Sequence, residues 1–109
     1  MEVREYRLEN GDSPYRIWLN GLDKMVKARV QARIFRFESG NIGDTKSVGE
    51  GVYEARFFFG SGFRLYFGID GKKIIILLIG GDKKTQSRDI VKAKSYLKNY
   101  LERSNVKKK

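Results

Sequence analysis

Arg56, Arg64, Lys83 and Lys84 are the side chains in this chain best suited to chemistry on a phosphate. They lie within Gly49–Ile90, which reads as three consecutive strands (Val52–Phe59, Phe63–Ile69 and Lys73–Ile79) running into a cluster of cations and amides. Side chains alternate along a strand. Glu54, Arg56 and Phe58 therefore share one face of the first strand, and Tyr53, Ala55, Phe57 and Phe59 share the other. In the second strand Arg64, Tyr66 and Gly68 oppose Phe63, Leu65, Phe67 and Ile69. Closing the hairpin at Gly60–Gly62 with Phe59 opposite Phe63 sets Arg56 across from Tyr66 and Phe58 across from Arg64. Both arginines then have an aromatic neighbour, a cationic stacking platform that suits a splayed nucleobase and its phosphates. The same pattern also allows a solvent-exposed face on which Arg56 pairs with Glu54 or Glu50.

The remaining elements have to hold that face in place. Val3–Leu8 alternates imperfectly, as a short strand does. Ser13 can cap a helix beginning at Pro14, with Tyr15, Trp18, Leu19 and Leu22 at helical spacing and Gly21 at its exit. Asp23 can cap a second helix. Its apolar positions are Met25, Val26, Ala28, Val30, Ala32, Ile34, Phe35 and Phe37, its polar side carries Lys24, Lys27, Arg29, Arg33 and Arg36, and Gly40-Asn41 stops it. Residues 41–51 read as a loop. Ile74–Ile79 is apolar on both faces, so that strand should lie centrally, covered on both sides. Thr85 can cap a last helix from Gln86 to Glu102, facing inward with Ile90, Ala93, Leu97 and Leu101, with Tyr96 and Tyr100 beside them; 104–109 should fray. Gln86 and Asp89 read as helix-start residues. The expectation is an α+β fold in one domain over 1–109: a small antiparallel sheet of about four strands, an N-terminal helical hairpin and a C-terminal helix.

Composition narrows the chemistry. The 109 residues include no cysteine and no histidine, which excludes a disulfide framework, Cys/His zinc sites and the commonest general base. No window approaches 18 consecutive apolar residues and the start lacks signal-peptide order, so no membrane partner and a cytoplasmic location are expected. The net charge is +10, and ten of the 23 Lys/Arg fall in residues 83–109 against only Asp89 and Glu102. Such a surplus points to a polyanion, most often nucleic acid.

The order VYEARF, then GFRLYF, then LLIGGDKKTQSRDI, together with RIFRFESGNIGDTKSVGEGVYEARF, resembles the RelE/ParE superfamily of bacterial toxins over roughly residues 10–95. It is most similar to the HigB-like, phage Gp49-like branch of addiction-module killer proteins. The resemblance implies a RelE-like fold and a toxin neutralised by a cognate antitoxin, a small helix-turn-helix protein. It also implies entry into the ribosome and cleavage of mRNA by the substrate's own 2′-OH, with no metal or cofactor, and a free toxin that is monomeric. Arg56 and Arg64 would stabilise charge on the scissile phosphate. Lys83 or Lys84 would act as acid or base if crowding lowered its pKa, and Lys46 would bind phosphate or act as base. Lys46, Tyr66, Phe58 and Arg88 are the candidate RNA contacts, with Tyr66 stacking a base. Tyr96 and Tyr100 read as packing residues and do not match the aromatic that some mRNA-cutting relatives carry near the C-terminus. The ParE-type members of the superfamily trap DNA gyrase instead, and a non-toxic basic nucleic-acid-binding module would also account for the charge.

Overall fold

A computed structural model describes the backbone of residues 1–108 and the side chains through Ser104. In chain order the elements are β1 (Glu2–Glu5), α1 (Pro14–Asn20), α2 (Lys24–Glu38), β2 (Thr45–Gly49), β3 (Val52–Arg56), β4 (Arg64–Asp70), β5 (Ile74–Gly81) and α3 (Gln86–Lys108), with a 3-10 turn, Lys83–Thr85, leading into α3. The strands form one sheet in the order β1-β5-β4-β3-β2. Neighbours from β2 to β5 are antiparallel, while β1 joins β5 in parallel, Glu2 opposite Ile74 and Glu5 opposite Leu77.

The expected α+β layering is present, with five strands instead of about four. The additional one is β2, inside the segment read as a loop. It is a five-residue edge strand with a bulge between Ser47 and Gly49, and its Val48 packs toward the core. So short and irregular a strand leaves little alternation to read. Left-handed backbone at Gly49, Glu50 and Gly51 (φ 99°, 54° and 81°) turns it into β3.

Two cores sandwich the sheet. On one face Tyr15 and Leu19 of α1 and Val30 and Phe37 of α2 meet Ala55, Leu65, Phe67, Ile75 and Leu77. On the other, Ala93 and Leu97 of α3 cover Val52, Tyr66, Ile76 and Leu78. Residues 75–78 of β5 alternate between the two cores and all are buried, hence their unbroken apolar run. Ser13 and Asp23 cap α1 and α2 as expected, accepting from the backbone N–H of Arg16 and Val26, both at 3.0 Å.

The inward stripe of α2 differs from the expected one. Arg33 is buried between Val30 and Phe37, while Met25 and Phe35 face solvent. Its guanidinium donates to the carbonyls of Arg56 and, at 2.6 Å, of Asp44, and lies 5.0 Å from the Phe57 ring centre. A residue read as surface charge therefore closes the end of β3.

The last helix also departs from expectation. It is continuous to Lys108 instead of fraying from Ser104; Lys109 lies outside the described residues. Arg103 donates to the Arg7 carbonyl (2.8 Å) and the Tyr6 hydroxyl (2.9 Å), and the Tyr6 ring stacks on Tyr96 at 4.9 Å. The late helix thereby clips onto the chain just after β1. No helix among the described residues is long and apolar enough to cross a membrane.

Two stability predictions follow from local geometry. Arg16 donates to Glu5 at 2.5 Å, and this hydrogen bond holds the carboxyl below its usual range. A depressed folded-state pKa means that the unfolded chain binds the proton more readily. The pair should therefore contribute about 0.5–1 kcal/mol above pH ~4.3 and lose it as pH falls further; urea midpoints of Arg16→Ala should lack that component. At Gly80, a Cβ would collide with the Trp18 indole. Gly80→Ala should cost about 1–3 kcal/mol by overpacking, measurable as a lower melting temperature.

Candidate functional site

Strand register builds the site. Lys46 of β2, Glu54 of β3, Tyr66 of β4 and Ile79 of β5 lie opposite one another in one row across the sheet. The next row holds Arg56, Arg64 and Gly81. The hairpin thus pairs Arg56 with Arg64 and Glu54 with Tyr66, correcting the expected Arg56–Tyr66 and Phe58–Arg64 pairs. The slip is two residues, so every side chain keeps its face.

The loop explains the slip. Ladder pairing stops at Arg56, and the Phe57 N–H reaches the Phe63 carbonyl at 2.9 Å. Phe57, Phe59 and Phe63 then cluster on the α2 side, with the Arg29 guanidinium 4.6 Å from the Phe59 ring centre. Phe58 alone turns outward, 78% exposed, with Arg56 5.5 Å from its ring centre.

The two rows divide the work. Glu54 is fully buried, and its Oε2 accepts from the Tyr66 hydroxyl (3.1 Å) and Gln86 Nε2 (2.9 Å), with Arg64 Nε at 3.5 Å. Its Oε1 has no hydrogen-bond partner and faces the Lys46 ammonium at 3.8 Å. Arg64 is mostly enclosed, and one of its terminal nitrogens donates to the Gly62 carbonyl at 2.7 Å. The anchored Arg64 and the half-buried Arg56 stand side by side on adjacent strands. Like charges placed so are unfavourable until an anion lies between or above them.

The other candidate residues separate. Lys83 joins the pair's surroundings: its backbone N–H meets the Ser61 carbonyl at 3.4 Å, and its Cβ lies 3.5 Å from where a Cβ on Gly62 would sit. Lys46 flanks the pair from the β2 side. Lys84 is exposed on the 3-10 turn. Arg88 stands apart from the pair, lining a groove between α1 and α3.

Tyr66 is corrected outright. It is fully buried under α3, so it has no ring face to offer a base. Burial and the adjacent Glu54 carboxylate raise its pKa far above the usual value, which keeps the hydroxyl a donor. Tyr66→Phe should cost about 1–2 kcal/mol in a urea titration through the lost hydrogen bond, with no loss of a stacking contact.

Sequence reasoning missed Glu54 as the anchor and Gln86 as its donor. Glu54 alternates in phase with Arg56, opposite the Arg64/Tyr66 strand, and a carboxylate so flanked was the available signal. Nothing local marked Gln86, because its partner is 32 residues away. Asp82, not Thr85, caps the turn: it accepts from the N–H groups of Lys84 and Thr85, and Thr85 reciprocates. Asp89 is buried and accepts from the Thr85 hydroxyl at 2.5 Å, fixing the start of α3.

The sheet face and its exit therefore carry a cationic arc, Lys46, Arg56, Arg64 and Lys83, of which one buried carboxylate, Glu54, ties down Arg64 and Lys46. An uncharacterized protein of Haemophilus influenzae (strain ATCC 51907 / DSM 11121 / KW20 / Rd) is 46% identical over 78 residues, covering 71% of this chain and 79% of that protein. The family profile described as phage-derived protein Gp49-like (DUF891) matches residues 17–98, the span that contains β2 to β5, both arginines and most of α3. The chain belongs to the phage-derived Gp49-like family, which is linked to toxin–antitoxin addiction modules.

Proposed function

We propose that this protein is the toxin of a type II toxin–antitoxin module, a RelE-like, ribosome-dependent endoribonuclease that cuts mRNA. The observation that carries the reading is the Arg56–Arg64 pair, two arginines in register on neighbouring strands with Lys46 and Lys83 flanking them. In the reaction the 2′-OH of the substrate attacks the adjacent phosphorus and gives up its proton. The P–O5′ bond breaks, and the departing 5′-oxygen takes a proton. The products are a 2′,3′-cyclic phosphate and a 5′-hydroxyl end. The two arginines would neutralise the phosphorane through their planar forks, the kind of preorganised charge that accounts for much of a catalyst's effect. Lys83, near the pair, would protonate the leaving oxygen. Lys46 would hold a neighbouring phosphate, and Phe58 offers an exposed ring for a base to stack on.

The test is induced expression followed by primer extension on a translated message and on the same message with its start codon removed. Growth arrest with cuts inside codons of the translated copy alone is the expected result. Arrest with intact messages and a DNA-damage response would instead assign the ParE-type action on gyrase.

A further inference from the structure

β1 covers β5 only as far as Leu77, so Leu78–Gly81 form a free strand edge among the described residues. Ile79, Gly80 and Gly81 of that edge line a groove of about 510 Å³. One wall is α1, with Pro14, Trp18 and the 60% exposed Ile17. The opposite wall is α3, presenting the exposed Arg88 and Lys92. Two acids also border the groove, but both are turned to internal partners: Asp82 caps the 3-10 turn, and buried Asp89 bonds Thr85. The charge offered to a visitor is therefore positive, and it sits on one side only.

We infer that this groove receives an extended segment of a partner protein, in which apolar residues alternate with Asp or Glu, added as a sixth strand beside Ile79–Gly81. The alternation follows from the walls. They stand on opposite faces of the sheet, and successive side chains of a strand point to opposite faces. Apolar positions would meet Trp18 and Ile17, and acids would meet Arg88 and Lys92. Gly81 pairs with Arg64, so the added strand would lie two strand spacings, about 10 Å, from the arginine row. A partner held there flanks the cationic arc without filling it. That the segment belongs to a neutralising antitoxin rests on the toxin reading; the binding does not.

Trp18 is the only tryptophan and lines the groove, so its fluorescence reports occupancy. The probes are a short synthetic peptide alternating valine and glutamate, and its counterpart with lysine for glutamate. The glutamate peptide should shift Trp18 emission and bind at least ~10-fold tighter than the lysine peptide, and Ile17→Asp should weaken it about 10-fold. The Arg88→Glu/Lys92→Glu double variant should reverse the preference, a gain that a misfolded protein cannot mimic. Equal affinity for both peptides, amide shifts away from β5 and α1 in a nuclear magnetic resonance titration, or displacement of the peptide by an RNA oligonucleotide would each overturn the assignment. Growth arrest without peptide binding would reject the groove alone; peptide binding without arrest would reject the toxin reading and leave the groove standing.

Discussion

Alanine at Arg56 is expected to lower message cleavage by about 10²- to 10³-fold with the fold intact, the loss typical of deleting one preorganised group that stabilises transition-state charge. The side chain touches little that the fold needs. It closes β3, lies against the exposed Phe58 ring, and makes no ion pair among the described residues. The bond that secures this position comes from Arg33 to its backbone carbonyl, which alanine keeps. Removing one of two facing cations also relieves repulsion in the free protein. Stability should therefore stay within about 0.5 kcal/mol of wild type, in either direction. Cleavage rates on translated message, read beside urea midpoints, check both halves. Undiminished cleavage by the variant would remove the arginine pair from the mechanism.

Glu54→Ala should have the largest effect on stability, about 3–5 kcal/mol, as expected when one partner of a buried ion pair is deleted. The change strands Arg64, whose side chain is only 12% exposed, without its counter-charge. It also removes the acceptor of the Tyr66 hydroxyl and of Gln86. The same coupling governs how Arg64 should be tested. Arg64→Ala breaks this pair from the other end and would lower stability and activity together. Arg64→Lys keeps a cation beside Glu54 and isolates the loss of the planar fork. Equilibrium urea unfolding decides the matter for Glu54; a loss below about 1 kcal/mol would mean that the carboxylate anchors nothing.

Face assignments were legible in the sequence because they depend on a period of two and survive an even slip in register. Arg56, Arg64, Glu54 and Tyr66 share a face as alternation requires. Caps at Ser13 and Asp23 were legible for a similar reason, since donor and acceptor lie three residues apart. What failed to show were contacts set by tertiary packing. Tyr66 alternates with Arg64 as an exposed residue would, yet α3 lies over it. Arg33 carries the charge of a surface residue, but its place between Val30 and Phe37 turns it inward, where two carbonyls await it. The parallel placement of β1 against β5 joins segments about 70 residues apart, and no local pattern encodes such a pairing.

That long-range closure bears on when the protein becomes competent during its synthesis. β1 finds its partner only after residue 77 has left the ribosome, and the donor that secures Glu54 belongs to Gln86. Arg103, which clips the late helix to Arg7, comes later still. At translation speeds of about 5–20 residues per second, the arginine row spends several seconds attached to an unfinished sheet. A nascent chain that carries both arginines but not α3 already holds Glu54 but lacks the Gln86 amide that secures it. The surroundings of the arginine row are therefore complete only when nearly the whole chain has emerged.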